Sequence, residues 1–241
     1  MALFAIIALV FTVGASGSGT KGSSTPVQET IVCLGDSLTT GFSATVIGKE
    51  DRSKAWPAVL QKKVNIPVIN AGVGGNTTAQ GLARVKKDVL SKNPRIVIIL
   101  LGGNDYRKEI PIATTKNNLQ KIIDIVNDGK RKIYLTSFPI KGNPKAQMEF
   151  SNMFKTLASS NNIQLVSGIL DSLREVHWVK EKEPRHPTAK GCEIIADRFF
   201  NALKPYLEAN NLLKEGYDVA PDAEITEHGV EEIPEWLKSE E

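Results

Sequence analysis

The chain has 241 residues, of which 41% are apolar and 24% are charged, with two cysteines and a formal net charge of +3. This length fits one α/β domain with a full core rather than two domains, and the composition is that of an ordinary globular protein. Two cysteines make no disulfide framework, so we expect Cys33 and Cys192 to be small buried core residues. No metal-ligand spacing or nucleic-acid motif occurs, and we expect no metal, no other cofactor and no nucleic-acid partner.

Residues 1–28 are predicted to be a leader and a linker in front of the domain. Residues 2–15 form an apolar run of signal-peptide length, too short to span a bilayer comfortably, and small residues follow it. We expect an export signal cleaved near Ala15, although no basic residue precedes Lys21; an uncleaved N-terminal anchor is the alternative. The protein is therefore predicted to be exported, either to the periplasm or outside the cell.

Strand-like and helix-like segments alternate between residues 29 and 208. Short apolar runs predict strands at 31–35, 67–70, 95–101, 132–136 and 163–166. Helical spacing predicts helices at 56–64, 78–90, 113–126, 145–159 and 188–207. In the helix at 78–90 the apolar residues Leu82, Val85 and Val89 share one face, which places the basic residues on the other. Such alternation indicates one α/β domain, at 29–208, with a parallel sheet covered on both faces.

The last segment, residues 209–241, is predicted to be an acidic tail. Nine acidic residues and one lysine give residues 216–241 a charge of −8, which leaves +11 on the rest of the chain. Such a tail is typically solvated and partly disordered. The basic remainder predicts either simple solubility, which we favour, or a transient contact with an anionic membrane surface.

The first strand runs into Gly35, Asp36 and Ser37, a tripeptide that is common in ordinary loop turns but that also makes Ser37 a candidate nucleophile. Ligands of open α/β sheets bind at the carboxyl ends of the strands, where Ser37 is expected to lie. A helix start close by would offer free N–H groups to a developing anion. We expect Gly35 to relieve backbone strain at this turn.

Four short blocks in the same order carry a family resemblance. They are Gly35-Asp36-Ser37-Leu38, Asn70-Ala71-Gly72-Val73-Gly74-Gly75-Asn76-Thr77, Gly102-Gly103-Asn104-Asp105 and His186-Pro187. With them the chain resembles the GDSL or SGNH hydrolases, most closely the bacterial esterase, thioesterase and lysophospholipase branch. That branch also has stretches like Trp56-Pro57-Ala58 and Gly81-Leu82-Ala83-Arg84. The resemblance implies a three-layer α/β/α, flavodoxin-like fold with a five-stranded parallel sheet, and a serine esterase.

The resemblance also implies a catalytic triad of Ser37, His186 and an acid three residues before the histidine. A serine hydroxyl needs a base within hydrogen-bond reach, and the base needs an acceptor that sets its tautomer. The acid position holds Glu183 where the family usually has aspartate. We expect a Ser-His-Glu triad, with a Ser-His dyad as the alternative. Asp171 is the rival acid, which we interpret as a turn cap.

By the same resemblance, the oxyanion hole consists of the backbone N–H groups of Ser37 and Gly75 and the side-chain amide of Asn104. Glycine suits position 75 because the backbone must approach the substrate closely. Asp36 and Asp105 are expected to support the site through hydrogen bonds rather than to react. The Gly-rich loop lacks a Gly-x-Gly-x-x-Gly spacing and a Walker lysine, so it does not indicate nucleotide binding.

Three functions remain open from the sequence. The first is hydrolysis of a small-molecule ester or a lipid by a monomer. The second is acyl or acetyl transfer, or carbohydrate deacetylation, by the same residues. The third is a surface binding protein whose site has lost its activity.

Overall fold

The structure is a computed structural model that describes residues 29–140, 144–173 and 186–216. A five-stranded parallel sheet with the order β2-β1-β3-β4-β5 lies at its centre. The strands are β1 Thr30–Gly35, β2 Val68–Gly72, β3 Pro94–Leu100, β4 Lys132–Thr136 and β5 Gln164–Val166. This is the flavodoxin-like strand order, and the predicted five-stranded parallel sheet is confirmed.

Seven α-helices and one 3₁₀-helix, Leu90–Lys92, connect or flank these strands within the described residues. The α-helices are α1 Ser37–Thr40, α2 Trp56–Leu60, α3 Thr78–Asp88, α4 Gly103–Arg107, α5 Ile112–Val126, α6 Pro144–Ser160 and α7 Ala189–Ala209. Two short helices, α1 and α4, lack the repeated apolar spacing from which the longer helices are predicted. The predicted second strand ended at residue 70, whereas β2 continues through the first glycine of the Gly-rich loop.

The helices form one layer on each face of the sheet. Successive side chains of β1 point to opposite faces, so Ile31 and Cys33 contact the cluster that includes Trp56 and Phe199 of α2 and α7. Val32 and Leu34 contact the other cluster, to which α3, α5 and α6 contribute. Because both faces are covered, the inner strands are continuous apolar runs rather than alternating ones. Both cysteines are free and buried, as predicted.

The strand order places the site. It reverses between β1 and β3, and the carboxyl ends of two such neighbouring strands flank the crevice in which α/β sheets bind ligands.

The folded part of the chain continues beyond residue 208. Leu212 is buried, and its carbonyl accepts a hydrogen bond from the Asn65 N–H. None of the helices in the described part of the chain is long and apolar enough to cross a membrane.

Candidate active site

Ser37 and His186 meet at the carboxyl edge of the sheet. Ser37 begins α1, directly after β1, and His186 lies three residues before α7 begins at Ala189. Their Oγ and Nε2 atoms are 2.8 Å apart, although 149 positions separate the two residues in the chain. When the imidazole carries its proton on Nδ1, the serine hydroxyl donates to Nε2. This is the contact that a general base needs in order to activate a serine nucleophile.

The imidazole is held in place by its surroundings. His186 is only 3% exposed, and the Phe42 ring packs edge-on against it with 4.8 Å between the ring centroids. The α7 start is also fixed, because the Thr188 hydroxyl accepts a bond from the Gly191 N–H and the Ala189 N–H donates to the Ala44 carbonyl. The segment that carries Phe42 and Ala44 therefore contacts both the histidine and the start of the helix behind it.

Asn104 joins the site from α4, beyond the end of β3. Its side-chain nitrogen donates to Asp36 Oδ2 at 3.1 Å and to the Asn76 carbonyl at 3.0 Å. Asp36 uses its other carboxyl oxygen to accept the Leu38 N–H at 3.0 Å, which caps α1. Three of the four sequence blocks thus meet through the Asn104 amide.

The Gly-rich loop lies beside the serine turn. The Val73 N–H donates to the Gly35 carbonyl at 3.1 Å, which links this loop to the end of β1. Within the described residues, the backbone N–H groups of Ser37 and Gly75 have no hydrogen-bond acceptor, so both are free to bind a ligand. These two groups and the Asn104 amide are the donors predicted for an oxyanion.

Comparison with known proteins identifies the family of the chain. The family model of the GDSL-like lipase/acylhydrolase family matches residues 33–194, more than half of the chain. The chain belongs to this family. It is accordingly an enzyme of the ester-hydrolysing class.

Two curated relatives cover most of the chain. It is 26% identical to the esterase TesA of Pseudomonas aeruginosa over 74% of this chain and 90% of that protein. It is 28% identical to thioesterase 1/protease 1/lysophospholipase L1 of Escherichia coli over 73% and 84% of the two chains. Among solved structures, esterase EstA from Pseudoalteromonas shares the fold with a TM-score of 0.66 at 22% identity, covering 75% of this chain and all 100% of that one.

The glycines of this GDSL-like chain are required for two different reasons. Gly35 was expected to relieve strain at a turn, but it belongs to β1 and its φ angle is not in the left-handed region. A Cβ atom there would lie 2.0 Å from Thr39 Oγ1, so the requirement is for space. Gly75 has a φ of +73° with open space around the Cα, so there the backbone conformation favours glycine.

Asp36 is buried next to Ser37, and burial of a carboxyl group has an electrostatic cost. It raises the pKa of the Asp36 carboxyl from 3.8 to about 6, and the bond from the Leu38 N–H opposes this increase. Desolvation disfavours the charged form of a carboxyl group, and the nearby Asp105 adds a smaller effect in the same direction. Near neutral pH the carboxylate is ionised and accepts from Asn104.

This pKa predicts how stability depends on pH. Because the folded-state pKa exceeds the unfolded value, the folded protein binds more protons between these two values, and stability is lost as the pH rises through them. We expect the free energy of unfolding of wild type, minus that of Asp36→Asn, to fall by up to about 3 kcal/mol between about pH 4 and pH 7. Urea unfolding of both proteins across this pH range measures the difference in their free energies of unfolding. A difference that does not change with pH contradicts the raised pKa of Asp36.

Asp105 contacts helices rather than Ser37 or His186. Its Oδ2 accepts the Thr78 N–H at 2.8 Å, and its Oδ1 accepts the Thr78 hydroxyl at 2.5 Å. The Thr115 hydroxyl of α5 donates to Oδ1 at 3.4 Å. Asp105 therefore links α4, which carries Asn104, to the starts of α3 and α5.

Sequence reasoning missed Arg84 and Phe42. The apolar stripe of α3 predicts its basic residues on the outer face, where Lys86 and Lys87 are indeed exposed. Arg84 contradicts this prediction, because its guanidinium donates to the Gly35 and Ala71 carbonyls at the strand ends. The Gly-Leu-Ala-Arg resemblance was the one sequence signal for it; nothing local indicated the contact of Phe42 with His186.

Glu183 lies outside the described residues, as does His177. Asp171 is exposed in the turn after β5, where its N–H donates to the Gly168 carbonyl at 3.1 Å. In the described part of the chain, no group of three or more His, Cys, Asp or Glu residues could hold a metal ion.

Proposed function

We propose that this chain hydrolyses carboxylic esters with Ser37 as the nucleophile and His186 as the general base. The observation that carries the proposal is the 2.8 Å separation of Ser37 Oγ and His186 Nε2 at the end of β1. Ser37 is half-buried, which leaves its hydroxyl accessible to a substrate. His186 is buried, which restrains its imidazole ring.

In the first half of the reaction, Ser37 Oγ attacks the carbonyl carbon while His186 Nε2 takes the hydroxyl proton. The electron pair of the C=O bond moves to oxygen and gives a tetrahedral oxyanion. His186 then gives its proton to the leaving alcohol as the C–O bond breaks, which leaves an acyl-serine. In the second half, water repeats these steps and releases the acid.

The oxyanion is proposed to bind the N–H groups of Ser37 and Gly75 and the Asn104 amide. Preorganised donors of this kind contribute about 100- to 1,000-fold each. Both amide hydrogens of Asn104 are already donated, one of them to Asp36. The oxyanion therefore shares an amide hydrogen with one of these acceptors, or displaces it as the tetrahedral intermediate forms.

Glu183 is proposed to orient His186 as the third member of a triad. The family position and the carboxylate charge support this role, while the longer stem of glutamate and the neighbouring charge run support a Ser-His dyad instead. The triad and the dyad predict different effects on kcat when the Glu183 carboxylate is removed.

We expect Glu183→Ala to lower kcat for a p-nitrophenyl ester by about 10³-fold or more, since the imidazole loses the acceptor that sets its tautomer. Glu181→Ala is the matched control, because it removes the same charge from the same run and should change kcat by less than about threefold. Equal effects of the two variants indicate the dyad.

An aromatic cluster beside Asn104 is proposed to contact the acyl group. The rings of Tyr106 and Phe138 each pack near Phe150, with centroids 5.8 and 6.0 Å away. Phe138 is half-buried and reaches Gly103, where an added Cβ would lie 3.1 Å from its Cε2. An acyl chain bound at Ser37 would find apolar surface on this side. Relatives named esterase, arylesterase and thioesterase support an ester or thioester as the substrate.

The test is hydrolysis of p-nitrophenyl esters from acetate to palmitate by the full chain, together with inactivation by a fluorophosphonate. We expect turnover and loss of activity on attachment of one phosphonyl group per chain, at Ser37. A chain that is inert on every ester and is not labelled contradicts the proposal. An added sugar acceptor in the same assay detects the acyltransferase alternative as transferred product.

Export, a monomeric state and transient membrane contact remain proposals. The proposed export signal and linker, residues 1–28, lie outside the described part of the chain, as do residues 217–241 of the acidic tail. A relative described as the lipoprotein YqeF of Bacillus subtilis, 26% identical over 62% of this chain, supports an exported location. The exposed apolar residues Val46, Ile47 and Val73 support a surface contact.

A further inference from the structure

Arg84 donates hydrogen bonds to three acceptors at the carboxyl edge of the sheet. Its Nη2 donates to the Gly35 carbonyl at 2.8 Å and its Nη1 to the Ala71 carbonyl at 2.6 Å. Its Nε donates to Asn76 Oδ1 at 2.8 Å. The side chain is 14% exposed, so these bonds form largely out of water.

The three acceptors belong to the segments that carry Ser37 and Gly75, two of the three proposed oxyanion donors. Gly35 lies two residues before Ser37, and its carbonyl also accepts the Val73 N–H of the Gly-rich loop. Asn76 directly follows Gly75, and its carbonyl accepts the Asn104 amide at 3.0 Å. One guanidinium therefore connects, directly or through Asn76, to all three donors.

We propose that Arg84 is a positioning residue that holds the three donors of the oxyanion hole in one geometry. The proposal rests on the proposed function. Oxyanion stabilisation depends on donors that are in place before charge develops, so a group that fixes their spacing acts on the transition state. A planar guanidinium can bridge several carbonyls at fixed angles, which a lysine ammonium cannot do.

A purely structural arginine in the same fold provides the comparison. Arg131 donates to the Pro94 and Val126 carbonyls at 3.1 and 3.2 Å and pairs with Asp128 at 3.1 Å. Its side chain is 22% exposed, and it lies at the amino ends of β3 and β4, on the edge opposite Ser37. It matches Arg84 in carbonyl partners and in an acidic partner, but not in position.

The experiment compares Arg84→Gln with Arg131→Gln and Asp88→Asn. Asp88 forms an ion pair with Arg84 at 3.2 Å, and this pair does not involve the three acceptors of Arg84 named above. Asp88→Asn therefore removes the ion pair and leaves those three hydrogen bonds in place. We expect Arg84→Gln to lower kcat about 100-fold with KM changed less than about threefold, since a transition-state interaction is lost. The two control variants should keep kcat within about threefold of wild type.

A second measurement separates positioning from loss of stability. A trifluoromethyl ketone forms a tetrahedral adduct with Ser37, in which the carbonyl oxygen becomes an oxyanion. Its inhibition constant should rise in Arg84→Gln by the same factor as kcat falls, and stay near the wild-type value in Arg131→Gln. The double variant Arg84→Gln/Asn104→Ala should have a smaller fold-loss of kcat than the product of the two single fold-losses, because both substitutions act on the same donors.

Arg84→Lys serves as a second variant in case Arg84→Gln does not fold, because lysine keeps the positive charge but lacks the planar guanidinium. We expect it to lower kcat by about 10-fold or more. The proposal is overturned if Arg84→Lys keeps the wild-type kcat, if Arg84→Gln resembles Arg131→Gln, or if the losses of the double variant multiply. If Ser37→Ala retains activity, the proposed function itself fails; if Ser37 is essential and Arg84 is not, only this inference fails.

Discussion

Replacing Ser37 by alanine is expected to lower kcat/KM for p-nitrophenyl ester hydrolysis by about 10⁴-fold or more. The Ser37 hydroxyl lies 2.8 Å from His186 Nε2, and in the proposed mechanism its removal leaves the enzyme without an atom that can accept the acyl group. Any residual rate then comes from the donors that bind the oxyanion, with water as the nucleophile. Steady-state kinetics on the full chain measures the loss.

Ser159→Ala is the matched control for this experiment. Ser159 is exposed on α6, and its hydroxyl bonds only locally, to the Thr156 carbonyl at 3.1 Å. We expect its kcat/KM to stay within about threefold of wild type. Labelling should follow the same pattern, with a fluorophosphonate attached to wild type and Ser159→Ala but not to Ser37→Ala. Full hydrolysis by Ser37→Ala would remove Ser37 from the mechanism.

Replacing His186 by glutamine is expected to have an effect of similar size, about 10⁴-fold in kcat. Glutamine keeps a polar side chain beside Ser37 but cannot take the hydroxyl proton. The variant therefore lacks the group proposed to activate the nucleophile, and steady-state kinetics on the full chain measures the loss.

Two other histidines provide controls for that result. His177 and His228 match none of the family blocks, and we expect His177→Gln and His228→Gln to retain wild-type kinetics. The Phe42 ring packs on His186, so a circular dichroism spectrum of His186→Gln should accompany the kinetics. A folded variant that keeps more than about a tenth of the wild-type kcat would contradict the role of general base.

Much of the fold follows from local patterns along the chain. The apolar segments that became β1 and β3, followed by Gly35-Asp36-Ser37 and by Gly102-Gly103-Asn104, predicted both the sheet and the edge at which polar residues collect. An inner parallel strand has to be apolar throughout, so its sequence alone reveals it. Short helices such as α4 contain too few turns to show a period, and the sequence did not predict it.

The contacts within the site are less accessible to sequence reasoning. Asp36 was expected to support the site, yet its bond to Asn104 joins residues 68 positions apart and has no local signature. Gly35 was assigned to turn strain, because a single sequence does not reveal that Thr39 occupies the space beside it. Arg84 was assigned to the outer face, because helical periodicity does not distinguish an arginine at the edge of a stripe from a solvated one.

The sequence by itself determined the parallel α/β architecture and the family blocks, and through those blocks it gave Ser37 and His186 as the proposed nucleophile and base. These depend on hydrophobic runs, turn residues and short motifs, each of which is contained in a few neighbouring positions. Only the tertiary structure decided that His186 reaches Ser37 at 2.8 Å, that Asn104 donates to both Asp36 and Asn76, and that Arg84 joins these segments. Those contacts form because the sheet brings the ends of distant strands together, and the order in which strands pair is a property of the whole folded chain.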